Sequence, residues 1–408
     1  MTLIPSVPQS ENMSLGLFES LLKNAVGVGA SDLHLKIGLP ALVRYRDEIR
    51  VLSKSKETLN KQQIEEMISA ILPQRLRSSF ESGKEIDFAY SFSGVGRFRL
   101  NIYLHRGQHA MAIRFIPFEI KSIEDLGLPI ILKKIALKKR GLVLITGPAG
   151  SGKSSTLASM IDERNKTESG HIITIEDPVE FLIRDRKSIV TQREIGIDTE
   201  NFQSGIKNSL RQDPDVVMIG EMRDRESIEQ ALSAAETGHL VLSTLHTRDA
   251  AETVSRILGI FPSESRDQIR WQLSSCLEAI VSQRLVPILD RSQKKTNVVA
   301  TELLLGTPRI KECLEDPRKL GALYEAIEKG SAYGMHSFDQ SLMRLYQEGL
   351  IKRDQAVENA TRPADMELKL RGINPSGSGS SSAQVDTNSG HRDIEIEDID
   401  PTHIKRKK

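Results

Sequence analysis

Short apolar runs recur through the middle of the chain. They read LVLIT (142–146), HIITIE (171–176), DVVMIG (215–220) and HLVLST (239–244). Runs of this length without polar alternation are typical of the buried strands of a parallel sheet. Stretches with helical spacing separate them, such as SSTLASMIDERN and ESIEQALSAAETG. The alternation predicts a parallel α/β sheet with helices on both faces, in a unit that spans residues 141–373.

Beyond Phe261 the spacing of apolar residues is mostly helical. The segment RDQIRWQLSSCLEAIVSQRL (266–285) places one apolar stripe on a helix, made of Ile269, Leu273, Cys276, Leu277 and Ile280. It predicts a helix through most of that segment. The run NVVATELLL (297–305) predicts one more strand.

The first part of the chain has a different pattern. Apolar and polar residues alternate in ASDLHLKIGLPALVRYRDEIRVL (30–52) and in GRFRLNIYLHRGQHAMAIRFIP (96–117), which predicts antiparallel strands joined by turns. Between them, NKQQIEEMISAILPQRL (60–76) has helical spacing and a proline near its end. We therefore predict a leader over 1–13, a small α+β domain over 14–116 and a linker over 117–140.

Composition excludes several classes of protein. The 408 residues suffice for two or three domains of roughly 100–200 residues each. The 56 basic and 55 acidic side chains nearly cancel, so no global charge directs the chain to nucleic acid or an anionic membrane. The two cysteines, Cys276 and Cys313, form no CxxC, which argues against a zinc ribbon or a disulfide framework and for buried free thiols.

The two ends of the sequence carry different signals. The N-terminus lacks a basic segment followed by an apolar one, and no window reaches the about 18 apolar residues of a membrane span. We expect a cytoplasmic protein with no direct membrane span. The Gly/Ser-rich and acidic segment 374–408 is predicted to be disordered, and its terminal KRKK is expected to be solvated.

The segment GPAGSGKS (147–154) matches the pattern G-x-x-x-x-G-K-[ST]. It follows a predicted strand and begins a predicted helix, which is the context of a phosphate-binding loop. Lys153 would contact the β and γ phosphates, and the Ser154 hydroxyl would bind Mg²⁺. The candidate nucleotide-binding residues are Gly147, Pro148, Ala149, Gly150, Ser151, Gly152, Lys153, Ser154 and Ser155.

Two acidic segments follow predicted strands in the same way. Glu221 follows DVVMIG, and Glu176-Asp177 follows HIITI. Ligands bind at the carboxyl edge of open α/β sheets, so both acids are expected beside the phosphates. Glu221 would hold Mg²⁺ together with Ser154, and the second acid would polarise an attacking water. Two acids beside one metal and one phosphate indicate hydrolysis, and nothing in the chain suggests a second substrate as in a kinase.

Histidines and arginines give two further hypotheses. His239 and His246 flank a predicted strand; such residues are often satisfied core histidines, but the position of His246 suggests a sensor of the terminal phosphate. In the first domain, Arg97 and Arg99 are two residues apart on one strand and so point to one face. With Arg114 they are either solvated or arginine fingers that reach a neighbouring subunit's nucleotide.

Several motifs occur together in the order seen in secretion-type ATPases. They are GASDLHL, GRFRLN, GPAGSGKSS, ITIEDPVEF, LRQDPDVVMIGEMRD and AAETGHLVLSTLHT. Over roughly residues 14–372 the chain resembles the type IV pilus retraction branch of that superfamily, the twitching-motility PilT/PilU family. A lone phosphate-binding loop is weak evidence, but this ordered set is very specific.

The resemblance implies an architecture and a site. It implies a hexameric ring, with a PAS-like N-terminal domain before a RecA-like ATPase domain that binds ATP and Mg²⁺. Lys153 and Ser154 would be Walker A residues and Glu221 the Walker B acid. Glu176 would be the catalytic base, and His246 belongs to the His-box segment. The arginines that match those reaching the nucleotide site are Arg97, Arg99 and Arg114.

The resemblance also implies a function. The ring would hydrolyse ATP to withdraw pilin subunits, acting on an inner-membrane pilus platform protein while peripheral at the pilus base. Extension and secretion ATPases usually carry a four-cysteine zinc element and a longer N-terminal region, which are missing here. The retraction motor usually has a segment like AIRNLI near its end, whereas this chain has LYEAIEKGSAYGMHSFDQSLMRLYQEGLI there, which is more like the accessory PilU branch. GEMRD is shared with PilT, so an accessory ATPase that works with a paralogous motor stays open.

Three other functions compete with a retraction motor. A pilus-extension or secretion ATPase would leave cells without pili when deleted. A nucleic-acid translocase would need a basic groove or stacking aromatics, yet aromatics are only 4% of the chain. A regulatory subunit that only binds nucleotide would not need the intact set of acids. We therefore expect no nucleic-acid partner.

Overall fold

The computed structural model describes residues 9–45, 48–52, 57–116, 120–289 and 297–373. The predicted disordered segment 374–408 lies outside the described residues, as does the start of the predicted leader. Within the described ranges, every helix is too short or too polar to cross a bilayer.

The first part of the chain folds into an antiparallel sheet, as predicted. Its strands, in the spatial order β3-β2-β1-β6-β5-β4, are β1 (Asp32–Lys36), β2 (Leu42–Tyr45), β3 (Glu48–Val51), β4 (Ile86–Phe92), β5 (Gly96–His105) and β6 (Gln108–Ile116). The helices of this part are α1 (Gln9–Gly27), α2 (Lys61–Ile71) and α3 (Arg77–Glu81), with a 3-10 turn at Gln74–Leu76.

Alternation along β5 explains how this sheet is covered. Phe98, Leu100 and Ile102 are buried in a core shared with α1 and α2, while Arg97 and Arg99 lie on the opposite face. The predicted helix over 60–76 is α2, which begins after an Asn60–Gln63 capping box and buries its apolar stripe.

The first helix corrects the predicted leader. Helix α1 already begins at Gln9, inside the segment 1–13 that the sequence pattern set apart. Phe18, Leu22 and Ala25 recur at helical spacing and are buried. Their packing stabilises α1, so this helix begins before residue 14, where the domain was predicted to start.

The second part forms the predicted α/β sheet. Its strands, in the spatial order β13-β12-β7-β11-β10-β8-β9, are β7 (Gly141–Thr146), β8 (Gly170–Glu176), β9 (Ser188–Glu194), β10 (Val216–Ile219), β11 (Leu240–Leu245), β12 (Leu277–Pro287) and β13 (Asn297–Leu305). Neighbouring strands pair in parallel, except that β13 runs antiparallel to β12. Because the edge strand β13 is antiparallel, the sheet is mixed rather than fully parallel.

Helices cover both faces of this sheet. They are α4 (Ile131–Ala136), α5 (Lys153–Thr167), α6 (Phe202–Ser209), α7 (Arg225–Glu236), α8 (Ala250–Ile260), α9 (Arg266–Cys276), α10 (Pro308–Glu315), α11 (Leu323–Glu328), α12 (Phe338–Gln347), α13 (Arg353–Glu358) and α14 (Pro363–Leu370), with 3-10 turns at Ser263–Ser265, Pro317–Ala322 and Ser331–Tyr333. Along β7, Leu142 and Leu144 pack into one core, and Val143 and Ile145 into another on the opposite face. Cys276 and Cys313 are both buried and unbridged, as predicted.

Two predictions about this part are wrong in detail. The predicted helix over 266–285 ends at Cys276, and Leu277–Pro287 is strand β12, paired between β7 and β13. A buried strand is apolar on both faces, so Leu277 and Ile280 fit a helical stripe by coincidence. The predicted linker contains α4, and Leu132 and Ile135 of that helix are buried in the core beneath α5, so this segment is packed rather than free.

Contacts join the first part of the chain to the sheet edge formed by β9. Arg97 Nη2 lies 2.6 Å from Glu194 Oε2, in a pair whose side chains are only 19% and 5% exposed. Arg75 Nη1 donates to Gly196 O at 3.0 Å. Glu194 is the last residue of β9 and Gly196 follows it, so both contacts reach the carboxyl edge of the second sheet, where the candidate site lies.

Candidate active site

The carboxyl ends of four neighbouring parallel strands meet at one edge of the second sheet. Strands β7, β11, β10 and β8 are consecutive in the sheet. They are followed by the loop at 147–152, His246, Gly220-Glu221 and Asp177 respectively, with Glu176 as the last residue of β8. These segments surround a cavity of about 480 Å³. The topology therefore brings together the segments that the sequence pattern had placed at one edge.

The loop between β7 and α5 has the backbone that a phosphate-binding loop requires. Gly147 has a φ of +145°, and a Cβ there would lie 2.5 Å from Gln283 O and 2.6 Å from Ser151 Oγ. Gly152 precedes α5 with a φ of +91°. Only glycine fits such positions without strain. The amino end of α5 consequently points into the cavity, where its free N–H groups and dipole favour an anion.

The side chain of Lys153 is held at the centre of this arrangement. It is 8% exposed, and its Nζ donates to Gly147 O at 2.8 Å and to Pro148 O at 2.9 Å. His246 Nδ1 lies 3.3 Å from the same Nζ. Burial lowers the pKa of Lys153, against the attraction of Glu221 and Glu180. The ammonium is thus partly desolvated and bound by neutral carbonyls that a phosphate oxygen can replace.

Glu221 supplies a negative charge to the site. Its Oε1 lies 3.3 Å from His246 Nε2, and its Oε2 accepts from Arg223 Nη2 at 2.7 Å. Burial alone would raise the pKa of Glu221, but the hydrogen bond from Arg223 and the nearby His246 hold it below its usual value. Glu221 is therefore a carboxylate, and His246 connects it to Lys153.

Glu176 is more deeply buried than Glu221. It is 7% exposed. Its Oε1 accepts from Thr174 Oγ1 at 2.6 Å and from Gln192 Nε2 at 3.0 Å. Burial raises the pKa of Glu176, against these two hydrogen bonds. A buried carboxyl with a raised pKa that borders the cavity has the properties of a general base.

The residues present fit Mg²⁺. Ser154 and Glu221 both line the cavity, and together they offer a hydroxyl and an ionised carboxylate. Hard oxygen donors of this kind, few in number, are what Mg²⁺ uses when a nucleotide supplies further ligands. Ser151 Oγ is buried and lacks a hydrogen-bond partner among the residues that the structure describes, so this hydroxyl of the loop is left to hydrogen-bond a ligand.

The cavity brings together most, but not all, of the predicted residues. Of the predicted loop, Ala149, Gly150, Gly152, Lys153, Ser154 and Ser155 line it, as do Glu176, Glu221 and His246. Among the described residues that form its wall there is none of Arg97, Arg99 or Arg114. Arg99 Nε lies 3.7 Å from Asp87 Oδ1, and Arg114 Nε lies 2.9 Å from Asp32 Oδ1. Within one chain these arginines serve the first sheet or its contact with β9.

The other histidine, His239, has a structural role. Its Nδ1 lies 3.0 Å from Ala234 O, at the end of α7 that leads into β11. Because β11 begins at Leu240 and ends at Leu245, His239 and His246 lie at opposite ends of one strand. His239 is therefore on the amino edge of the sheet, away from the cavity.

Several residues of the site were not predicted. Phe181, Ile183 and Phe202 supply apolar wall, and Arg223 and Glu180 supply charge. The motif GEMRD contains Arg223 two residues after Glu221, which is the one signal that could have revealed it. Phe181 is the last residue of the motif ITIEDPVEF, which is a signal that could have placed it near the site, whereas Ile183 lies beyond that motif in an irregular segment without periodicity.

Comparison with known proteins agrees with this geometry. The profile of the type II/IV secretion system protein family matches residues 10–347. The chain belongs to this family. Within it, the chain is 40% identical over 343 residues to the type IV pilus retractation ATPase PilT of Pseudomonas aeruginosa, covering 84% of this chain and 98% of that protein. It is 39% identical over 384 residues to the type IV pilus ATPase PilU of the same organism, covering 94% of this chain and 98% of that protein.

Solved structures of secretion-family ATPases share the fold. The crystal structure of the pilus retraction motor PilT with bound ADP superposes with a TM-score of 0.78 at 40% identity, covering 86% of this chain and 98% of that one. The ATPase DotB of Legionella pneumophila gives a TM-score of 0.68 at 28% identity, covering 91% and 100%. The family membership and the α/β fold are therefore supported by both sequence and structure.

Proposed function

We propose that this chain is a motor that hydrolyses ATP to drive retraction of type IV pili. It is an ATP hydrolase of the secretion ATPase family. The observation that carries the proposal is the cavity at the edge of the second sheet, where Lys153, Glu221 and Glu176 converge around a phosphate-binding loop. Its similarity to PilT and PilU along most of the chain supports the same activity and the same cellular task.

We propose one step for each side chain of the site. Lys153 exchanges its bonds to Gly147 O and Pro148 O for bonds to terminal phosphate oxygens, with His246 beside it to register their presence. Glu176 accepts a proton from the attacking water, because burial makes its protonation favourable. Ser154 and Glu221 would hold Mg²⁺, which when bound neutralises phosphate charge.

The proposal includes an assembly. Protomers with a PAS-like domain over 14–116 and a RecA-like ATPase domain over 141–373 form a hexameric ring. Arg97, Arg99 and Arg114 then reach a neighbouring protomer's nucleotide. The support is that none of them borders the cavity of its own chain, among the described residues that line it. Arg99 is the best candidate for a test, because its side chain is 50% exposed and its distance to Asp87 is 3.7 Å.

Mixing two inactive variants is expected to restore activity if the site is shared between protomers. Arg99→Ala alone should lower turnover, by as much as about 10³-fold for a true arginine finger. Mixed with Lys153→Ala protomers, it should regain turnover, because some interfaces then combine an intact loop with an intact arginine. Phosphate release against mixing ratio measures this.

Arg50→Ala is the control for that experiment, since Arg50 is an exposed arginine of the same sheet paired with Glu48. It should be fully active alone. If the mixture shows no recovery, or if the active protein stays monomeric at every concentration, the shared site is wrong.

Location and partners form the next part of the proposal. The ring would be cytoplasmic and peripheral at the inner-membrane pilus base, bound to a pilus platform protein. The rotations of its rigid units, driven by ATP binding and released by hydrolysis, would turn that platform and withdraw pilin subunits. No nucleic acid takes part.

An accessory, PilU-type role is the second candidate. The observation in its favour is coverage: the match to PilU spans 94% of this chain, and the match to PilT 84%. In that role the chain would act with a paralogous retraction motor rather than alone.

Deletion of the gene is expected to give cells with excess surface pili and no twitching. Retraction is what removes pili, so its loss leaves them extended. Counts of pili by electron microscopy and colony spreading measure the two effects. Complementation with the wild-type chain should restore both, and Lys153→Ala should restore neither. Cells without pili would contradict retraction and indicate extension, whereas pili that retract with weakened force would favour the accessory role.

A further inference from the structure

The side chain of Gln192 contacts Glu176 and the wall of the cavity at the same time. Gln192 lies on β9, beside β8, in the register that pairs Thr174 with Gln192 and Glu176 with Glu194. Its Nε2 donates to Glu176 Oε1 at 3.0 Å and to Phe181 O at 2.9 Å. Its Oε1 accepts from Ile183 N at 2.9 Å. One amide group therefore makes three hydrogen bonds, which is most of what it can make.

The segment that Gln192 binds is held by side chains rather than by the pairing of a helix or strand. Residues 177–187 contain no helix or strand in the described structure, so their backbone groups depend on side-chain partners. Gln192 binds Phe181 and Ile183 through a donor and an acceptor, as a neighbouring strand would. Both of these residues line the cavity. The position of the wall is thus set from β9.

The same amide restricts the carboxyl of Glu176. Thr174 and Gln192 both donate to Oε1, from the same strand and from the neighbouring one. Oε2 accepts only a long bond from Glu180 N, at 3.4 Å, among the hydrogen bonds of the described residues. Two donors on one oxygen fix the plane of the carboxyl and leave the other oxygen to accept a proton. A misplacement of about 1 Å of such a group can cost on the order of 10²-fold in rate.

We propose that Gln192 is a positioning residue of the hydrolytic site, which orients Glu176 and the Phe181–Ile183 wall with a single amide group. The proposal rests on the proposed function, because it assumes that Glu176 is the base. Gln192 itself is not among the residues that line the cavity, so it acts through its neighbours. This role of Gln192 would also explain why the edge strand β9 belongs to the active site.

Gln192→Leu is expected to lower kcat by about 10- to 100-fold while KM for ATP stays within about twofold. The phosphate contacts of Lys153 and Ser154 are untouched by the change, so binding is retained. In a Glu176→Gln background the same substitution should lower kcat several-fold less than it does in the wild type, because the carboxyl that it orients is already replaced and only its effect on the Phe181–Ile183 wall remains. A role in general packing would lower kcat equally in both backgrounds. Steady-state phosphate release from the purified full chain measures all four proteins.

Gln340→Leu is the matched control. Gln340 also donates to a backbone carbonyl, Glu328 O at 3.0 Å, and accepts from a backbone N–H, Ser337 N at 2.9 Å, but it lies on α12. Its loss should leave kcat unchanged. Gln192→Glu keeps the acceptor for Ile183 N and removes the donors, so it tests the same role if the leucine variant does not fold; it should also lower kcat.

The outcomes separate the two proposals. If Glu176→Gln alone turns over like the wild type, the assignment of the base in the proposed function is wrong. If Glu176→Gln is inactive and either Gln192 variant keeps wild-type kcat, only the role of Gln192 is overturned. Equal losses from Gln192→Leu in both backgrounds, or an equal loss in Gln340→Leu, would overturn it as well.

Discussion

Replacing Lys153 with alanine is expected to abolish ATP hydrolysis and to weaken ATP binding strongly. Lys153 is 8% exposed and lies at the start of α5, with its Nζ 3.3 Å from His246 Nδ1. In the complex this ammonium would pair with the phosphates, and removing one partner of a buried charge pair costs about 2–5 kcal/mol, which is roughly a 30- to 5,000-fold loss of affinity. Calorimetric titration with a non-hydrolysable ATP analogue measures binding, and phosphate release measures turnover.

The last turn of the same helix provides the control. Lys166 is 40% exposed and pairs with Asp162. Asp162 is only 6% exposed but keeps a second partner, Arg186 Nη2 at 3.5 Å, so Lys166→Ala should bind and hydrolyse ATP like the wild type. If Lys153→Ala bound the analogue as tightly as the wild type does, the phosphates would not lie against the loop at 147–155, and the site would have to be placed elsewhere.

The sequence predicts this site well because of where its residues fall along the chain. Glu176, Glu221 and His246 each end or closely follow a continuous apolar run. In a parallel sheet such runs are buried strands, and their carboxyl ends share one edge. Three local patterns were therefore sufficient to place three distant side chains around one cavity.

Strand β9 shows where that reasoning fails. Its sequence, SIVTQRE, alternates only weakly, and Ile189 is 63% exposed because β9 is the edge of the sheet. An edge strand of this kind has no continuous apolar run and no clear period. Gln192 and Glu194 were therefore not predicted, although one binds Glu176 and the other binds Arg97.

Strand β12 shows the opposite difficulty. Leu277 and Ile280 are both fully buried, so their spacing satisfied a helical stripe. What decides the matter is pairing with β7 and β13, which are distant in sequence. Tertiary pairing overrides a local period in such a case.

The arginines are a third case, because their proposed role involves a neighbouring protomer. Arg97 and Arg99 share a face of β5, as the strand period predicts. Their partners inside the chain are Glu194 and Asp87. Whether the same guanidinium groups also reach a phosphate depends on a neighbouring protomer, so this part of the site stays a prediction that the mixing experiment decides.

Replacing Glu176 with glutamine is expected to lower kcat by about 10²–10⁴-fold, the range typical of a lost general base, while ATP binding is retained. The amide has the same shape, and its Oε1 can still accept from Thr174 and Gln192, which now donate at 2.6 and 3.0 Å. Because burial raises the pKa of Glu176, the wild type should lose activity as the pH falls through that raised value, and the residual rate of the variant should lack this dependence.

Removing a buried ionisable group should also leave the melting temperature unchanged or higher. Glu168→Gln, an exposed acid just beyond α5, controls for the loss of one charge. Wild-type turnover in Glu176→Gln would show that the proton of the attacking water goes to another acceptor, and the mechanism would then need a different base.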